Sequence, residues 1–275
     1  MENSLRLDVK QVIVSKMPRA SRFIPEFVFR KLARIIRQDE LNRISGENVG
    51  KEGPDFARGV MESLDIKLSC KGVENLPSEG RYVFASNHPL GGLDGMALLS
   101  FLCDRYDNRV KCIVNDVLMA IKPLRSVFLP INKYGSQSRE AMKRVEEAYA
   151  GDEQILMFPA GLCSRMNDKG EVCDLEWQKS FITKSVETKR DVIPVYFEGL
   201  NSKFFYRFAR IRKRLGIKFN IELIFLPAEM VDAKGKSFTF HFGKPIPYTT
   251  FDNSRSKKEW AAYVKSVVYS LAEKK

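Results

Sequence analysis

The chain has 275 residues, 44% of them hydrophobic, and a formal net charge of +12; it can bury a substantial core, which excludes a disordered protein. No apolar run reaches the roughly 18 residues of a membrane span, and no uninterrupted apolar stretch follows a basic start, so neither a transmembrane helix nor an export signal is expected. The five cysteines, Cys70, Cys103, Cys112, Cys163 and Cys173, include no C-x-x-C pair and are odd in number; this argues against a zinc site and a complete disulfide framework, and suits a reducing cytoplasm.

In chain order, residues 1–44 predict an N-terminal helical, membrane-associating region. Residues 16–37 hold seven basic residues against Glu26 alone. On a helical wheel Val28, Leu32, Ile35 and Ile36 face away from Arg30, Lys31, Arg34 and Arg37. Gly46, Gly50, Gly53 and Pro54 then mark the boundary to a main domain over residues 45–275. Apolar runs at 65–70, 82–85, 111–114, 126–131, 154–158 and 192–197 read as strands, with helices between several of them, most clearly at 136–149. Later strands are expected at 219–225 and 237–242, and a closing helix over 256–272. The fold class is α/β: a mixed, largely buried central sheet flanked by helices, with N-terminal amphipathic helices.

A second basic cluster lies at residues 201–219, with seven basic residues and no acid. Phe204, Phe208, Ile211 and Leu215 share one helical stripe, and Arg207, Arg210, Lys213 and Arg214 occupy the other side. Two such segments point to an anionic membrane surface, where each basic residue contributes about 1 kcal/mol. Packing on a domain core with solvated basic faces stays open for either helix alone. Nucleic acid competes for the charge, but no nucleic-acid-binding module is recognisable, and no such partner is expected. The expected location is cytoplasmic, peripheral on the inner face of the cell membrane.

The segment Asn87-His88-Pro89-Leu90-Gly91-Gly92-Leu93-Asp94-Gly95 places one of only two histidines beside a carboxylate. It sits between an apolar strand and an apolar helix, at a strand end where α/β folds bind ligands. Imidazole can accept a proton near neutrality, and a carboxylate can orient it and stabilise the imidazolium. In isolation the turn is equally compatible with Asp94 as a helix cap and His88 as a loop residue. No serine or cysteine in the turn offers a covalent nucleophile.

Three further segments follow: Phe128-Leu129-Pro130-Ile131-Asn132-Lys133, Phe158-Pro159-Ala160-Gly161-Leu162-Cys163-Ser164-Arg165, and Val192-Ile193-Pro194-Val195. Their order and spacing after the histidine turn resemble the four blocks of the glycerolipid acyltransferase superfamily, typified by lysophosphatidic acid acyltransferases, over roughly residues 65–245. The resemblance implies His88 as general base and Asp94 as its orienting partner. The family spaces these residues by four positions; here five intervene, a form similar to a subset that includes hemolysin-like proteins and enzymes of amino-acid-containing lipids. The Gly91-Gly92 pair can absorb the extra residue. Ala160 stands where the family has glutamate, and Cys163 where it has arginine.

The implied reaction moves a fatty acyl chain from a thioester, on coenzyme A or acyl carrier protein, to the hydroxyl of a membrane lyso-lipid. No bound cofactor or metal is expected. Asn87, Gly91, Gly92, Lys133, Gly161 and Arg165 are the expected substrate-binding residues, with turn amides at Gly161 or Gly91-Gly92 available to an oxyanion. Lys133 and Arg165 would meet an anionic headgroup, either the phosphate of lysophosphatidic acid or the carboxylate of a glycine- or ornithine-type lipid. Phe204, Phe205 and Phe208, with Arg207 and Arg210, would form a membrane entrance for the acyl chain; plain core packing is the alternative for the phenylalanines. A catalytically inactive lipid-binding protein is the competing function, against which the His88–Asp94 pair argues. Cys163 reads as a small packed residue, His241 as a solvent- or loop-facing structural histidine, and Trp177, Lys179 and Phe181 as residues that could shape the site.

Overall fold

The computed structural model describes residues 6–16, 18–131 and 138–272. Four helices come first: α1 (Val9–Lys16), α2 (Glu26–Ile35), α3 (Gln38–Glu47) and α4 (Gly53–Ser63). On α2 the predicted basic residues are exposed, whereas Val28, Leu32 and Ile35 are half-buried and Ile36 is buried. Gly46 lies inside α3, and Gly53-Pro54 form the first turn of α4, where a proline loses no helical hydrogen bond. Ile44 of α3 and Phe56, Val60 and Leu64 of α4 belong to the same apolar core as the sheet.

The remaining elements are β1 (Lys67–Lys71), β2 (Tyr82–Ser86), α5 (Gly92–Arg105), β3 (Val110–Asn115), β4 (Phe128–Ile131), α6 (Arg139–Ala150), β5 (Gln154–Met157), β6 (Arg165–Met166), β7 (Val172–Cys173), α7 (Ser180–Thr188), β8 (Asp191–Glu198), α8 (Lys203–Arg214), α9 (Leu226–Val231), β9 (Ser237–Phe242) and α10 (Lys257–Ser270). Seven strands form one sheet in the order β1-β9-β8-β2-β5-β3-β4. Every pair is parallel except β8 with β9. This is the mixed α/β sheet expected, and β6 and β7 form a separate small hairpin.

Strand periodicity builds two cores. Phe84, Leu156, Ile193, Val195 and Phe197 pack with α4 and α5 on one face, while Val83, Ala85, Ile155 and Val192 pack with α7 and α10 on the other. Both faces of the central strands are therefore apolar, and the sequence shows runs rather than alternation there.

The strand expected at 219–225 is a correction. Ile221–Phe225 is a short 3-10 helix that leads directly into α9. The apolar run fits either element by composition, but Glu222 within it has cationic partners from two other segments, and a local helical turn aims it at both. His241 is also corrected: it is buried on β9, with Nε2 3.5 Å from Glu198 and its ring against Tyr196.

Candidate active site

Parallel pairing sends the chain ends of β2, β5, β8 and β4 toward one edge of the sheet, outside their carboxyl ends, where α/β folds place ligands. β2 lies between β5 and β8. Residues after β2 form the histidine turn, those after β5 form the Phe158–Arg165 segment, and those after β8 run into α8. Lys133, after β4, lies outside the described residues.

Asn87 fixes where the turn departs from the sheet. Its side-chain amide imitates one more step of the β2–β8 ladder: Nδ2 donates to the carbonyl of Phe197 at 3.0 Å, and the Phe197 N–H donates to Oδ1 at 2.6 Å. Both ends of the amide are thus engaged, and Asn87 holds the turn rather than facing a ligand. On the far side Asn201 Nδ2 donates to the Pro89 carbonyl at 3.1 Å.

His88 and Asp94 come together. Nδ1 of His88 lies 3.1 Å from Asp94 Oδ1, and the histidine side chain retains 18% exposure against none for the aspartate. The angle falls short of an aligned hydrogen bond, leaving buried Nδ1 without another partner; such contacts often tighten only when substrate binds. The carboxylate is held by two backbone donors, Leu90 N–H to Oδ2 at 2.9 Å and Gly95 N–H to Oδ1 at 2.8 Å. Gly91, at φ 82° and ψ −100°, is the N-cap of α5. The imidazole stacks on Phe158, centroids 4.1 Å apart. Nε2 makes no hydrogen bond with any described residue.

Burial alone would lower the His88 pKa. The adjacent Asp94 carboxylate, and more weakly Asp174, outweigh it and hold the pKa above the usual 6.5, while the charge of Arg165 opposes them.

Asp174 carries no motif signal and was not expected at the site. Its Oδ1 accepts the His88 N–H at 3.1 Å and the Ser164 hydroxyl at 2.5 Å, and Oδ2 accepts the Trp177 indole N–H at 2.8 Å. The carboxylate is buried, and burial pushes its pKa up against the pull of those donors. Trp177 thus acts through Asp174, and the sequence offered only its proximity to the third block. Phe181 is buried in the core beneath Trp177, and Lys179 precedes the first turn of α7.

Arg165 reaches the site but is heavily engaged. Nη1 donates to the carbonyls of Cys163 and Ser164, Nη2 pairs with Glu222 at 2.8 Å, and the guanidinium lies over the Phe205 ring. Gly161 also differs from expectation, because its N–H is taken by the Phe158 carbonyl at 2.9 Å. Among the described residues, no backbone carbonyl accepts from the amides of Gly91 or Gly92 in the turn. Cys163 is packed and buried, and burial raises its thiol pKa, as suits a structural cysteine rather than a nucleophile.

The expected membrane entrance splits. Phe205 is fully buried with Tyr206 and Cys163, so it belongs to a small core beside the site and not to an entrance. Phe204, Ile211 and Leu215 are exposed, Phe208 is half-buried, and Arg207 is exposed. Arg210 is half-buried and donates to the Asp168 carbonyl at 3.3 Å. Phe219, Ile221 and Ile224 extend the exposed apolar surface toward α9, whose Leu226 sits against Gly91. Among the described residues no cluster of three or more His, Cys, Asp or Glu side chains could hold a metal, and no helix is long and apolar enough to cross a membrane.

A family model described as Acyltransferase matches residues 11–274. Two curated relatives, from Bacteroides thetaiotaomicron and Phocaeicola vulgatus, are each named lyso-glycine lipid O-acyltransferase. They are 50% and 49% identical over 265 residues, covering 96% of this chain and 97% and 95% of theirs. Among solved structures, the 1-acyl-sn-glycerophosphate acyltransferase of Thermotoga maritima aligns with 98% of this chain and 94% of its own, at 16% identity and a TM-score of 0.49.

Proposed function

The chain belongs to the acyltransferase family, and from that premise we propose that it transfers a fatty acyl chain from an acyl thioester to the hydroxyl of a lyso-lipid bearing an amino-acid headgroup, with glycine the first candidate. The names of the two relatives support the acceptor class. The donor is acyl-coenzyme A or acyl carrier protein.

The observation that carries the reading is the His88–Asp94 contact at the carboxyl ends of the parallel strands. With Nδ1 turned to the carboxylate, Nε2 is the nitrogen available to substrate. It accepts the acceptor's hydroxyl proton as that oxygen attacks the thioester carbonyl carbon, and Asp94 stabilises the imidazolium. Collapse of the tetrahedral intermediate breaks the C–S bond; the thiolate takes the proton back from His88, giving an ester and a free thiol. The amides of Gly91 and Gly92 at the start of α5 are the donors for the oxyanion, aided by the positive end of the helix.

The exposed apolar residues of α8 and of the segment after it, flanked by Arg207, Lys213, Arg214 and Lys218, support docking on an anionic bilayer, where the acceptor resides. Through α9 this surface adjoins the histidine turn. The site then faces the interface from the cytoplasmic side.

The test is a product assay. Purified protein is incubated with acyl-coenzyme A or acyl carrier protein against a panel of lyso-amino-acid lipids and lysophospholipids, and products are weighed by mass spectrometry. Acylation of the lyso-glycine lipid, absent in His88→Ala, is expected. Wild-type-like turnover by His88→Ala would remove the base assignment.

A further inference from the structure

Glu222 is fully buried, and both its oxygens face guanidinium groups. Oε1 accepts from Arg165 Nη2 at 2.8 Å and from Arg212 Nη2 at 3.1 Å, and Oε2 accepts from Arg212 Nε at 3.0 Å. The arginines come from the hairpin beside the histidine turn and from α8. Arg212 is further tied to the Ile217 carbonyl and the Asn220 side chain.

A buried ion triad is an inefficient way to stabilise a fold, since apolar side chains of similar volume often do as well. Its charge is the more informative property. Two guanidiniums and one carboxylate leave a net charge of +1, and Arg165 directly follows Ser164, whose N–H donates to the His88 carbonyl at 2.7 Å. Arg165 remains 12% exposed. Without Glu222 the same two arginines would present +2, the charge that suits a phosphate monoester, which carries about −1.5 to −2 near neutral pH.

We propose that Glu222 determines which acceptor headgroup the site takes: with Arg165 and Arg212 it forms a singly positive receptor matched to one carboxylate and poorly matched to a phosphate monoester. This rests on the reading above that the acceptor is a lyso-amino-acid lipid.

The experiment compares kcat/KM for an N-(β-hydroxyacyl)glycine and a lysophosphatidic acid of equal chain length, using the full chain and two variants. Wild type prefers the carboxylate acceptor. Glu222→Gln moves the ratio about tenfold toward the phosphate acceptor, the scale of one unit-charge interaction across about 8 Å at an effective dielectric of about 30. Arg212→Met removes a cation and moves the ratio the other way, because the doubly charged headgroup loses more. If Glu222→Gln fails to fold by circular dichroism, the direction of the Arg212→Met shift decides. Equal loss for both acceptors in the folded variants would make the triad a brace and overturn the proposal. A wild-type protein that prefers lysophosphatidic acid would instead fail the acceptor reading before any variant is compared, and this proposal with it.

Discussion

The backbone N–H of His88 donates to Asp174 Oδ1 across 86 residues of sequence. That carboxylate also holds Ser164 and Trp177, so the histidine turn and the third block share one buried acceptor. Asp174→Ala strands three donors, and at about 1–3 kcal/mol for each one left unmade the loss of stability is expected to be on the order of 4 kcal/mol. Because the His88 backbone loses its anchor, kcat should fall more than tenfold. Urea unfolding and steady-state kinetics check both parts; an unchanged kcat would separate Asp174 from the base.

The raised pKa of His88 fixes the sign of the pH response. A base must be neutral to act, so the rate is expected to rise with pH through a limb lying above the usual 6.5. The stabilisation from protonated His88 beside Asp94 runs the other way. It is complete below the ordinary imidazole value and is lost as pH rises through the folded-state pKa. In Asp94→Asn burial becomes the dominant influence, and the limb should move to lower pH while the rate falls. A limb that stays in place in this variant would mean that Asp94 does not set the titration.

Two adjacent glycines answer the five-residue spacing differently. Gly91 sits at φ 82°, ψ −100°, and a Cβ there would meet Leu226 at 3.0 Å, whereas nothing lies within 4 Å of a Cβ on Gly92. Gly91→Ala is expected to cost about 1–3 kcal/mol of backbone strain and to cut activity with it. Gly92→Ala should be close to neutral in melting temperature and rate. Equal effects would mean that the glycine pair does not absorb the inserted residue.

Much of this was readable because periodicity and motif report backbone direction. The strand at 237–242 came directly from alternation, and the closing helix expected over 256–272 begins at Ser256, which forms a capping box with Glu259 in the structure. His88 and Asp94 are close because six residues cross one strand–helix turn, a local fact. Asp174 and Glu222 were not readable for the opposite reason. Each is tied to the site by one donor from a distant segment, His88 for Asp174 and Arg165 for Glu222, and neither has a local pattern that separates it from a solvated acid. Phe204 and Phe205 show the same limit: both lie on a helix rich in phenylalanine, and only tertiary packing decides that Phe205 turns inward.

Arg190 tests the scaffold apart from the chemistry. Its side chain is buried with no ion-pair partner among the described residues, the guanidinium donating to the carbonyls of Ala148, Tyr149, Gly151 and Glu153 where α6 ends. A cation there complements the negative end of the helix, although burial and the nearby charge of Arg81 lower its pKa to about 10. Arg190→Met leaves four carbonyls without donors and is expected to destabilise by on the order of 4 kcal/mol. Since Arg190 lies at the strand starts, opposite His88, acceptor KM should not change below the unfolding transition. A KM shift in folded protein would contradict this separation of stability from binding.

Docking on anionic lipid makes a prediction in which charge and apolar contact act separately. Arg207 and Arg214 are exposed on α8, and Phe219 is 80% exposed just beyond it. Reversing both arginines to glutamate removes about 2 kcal/mol of attraction and adds repulsion, so co-sedimentation with phosphatidylserine-containing vesicles should weaken more than thirtyfold. Raising the salt should do the same to wild type, because exposed charges are screened over about 8 Å at physiological ionic strength. Phe219→Ser should weaken binding while leaving the salt dependence intact. Both variants should retain activity toward a short-chain acceptor free in solution and lose it toward acceptor embedded in vesicles, since the His88 turn is untouched and only delivery from the bilayer is impaired. Unchanged sedimentation of the double reversal at low salt would leave the basic apolar surface as solvated protein exterior.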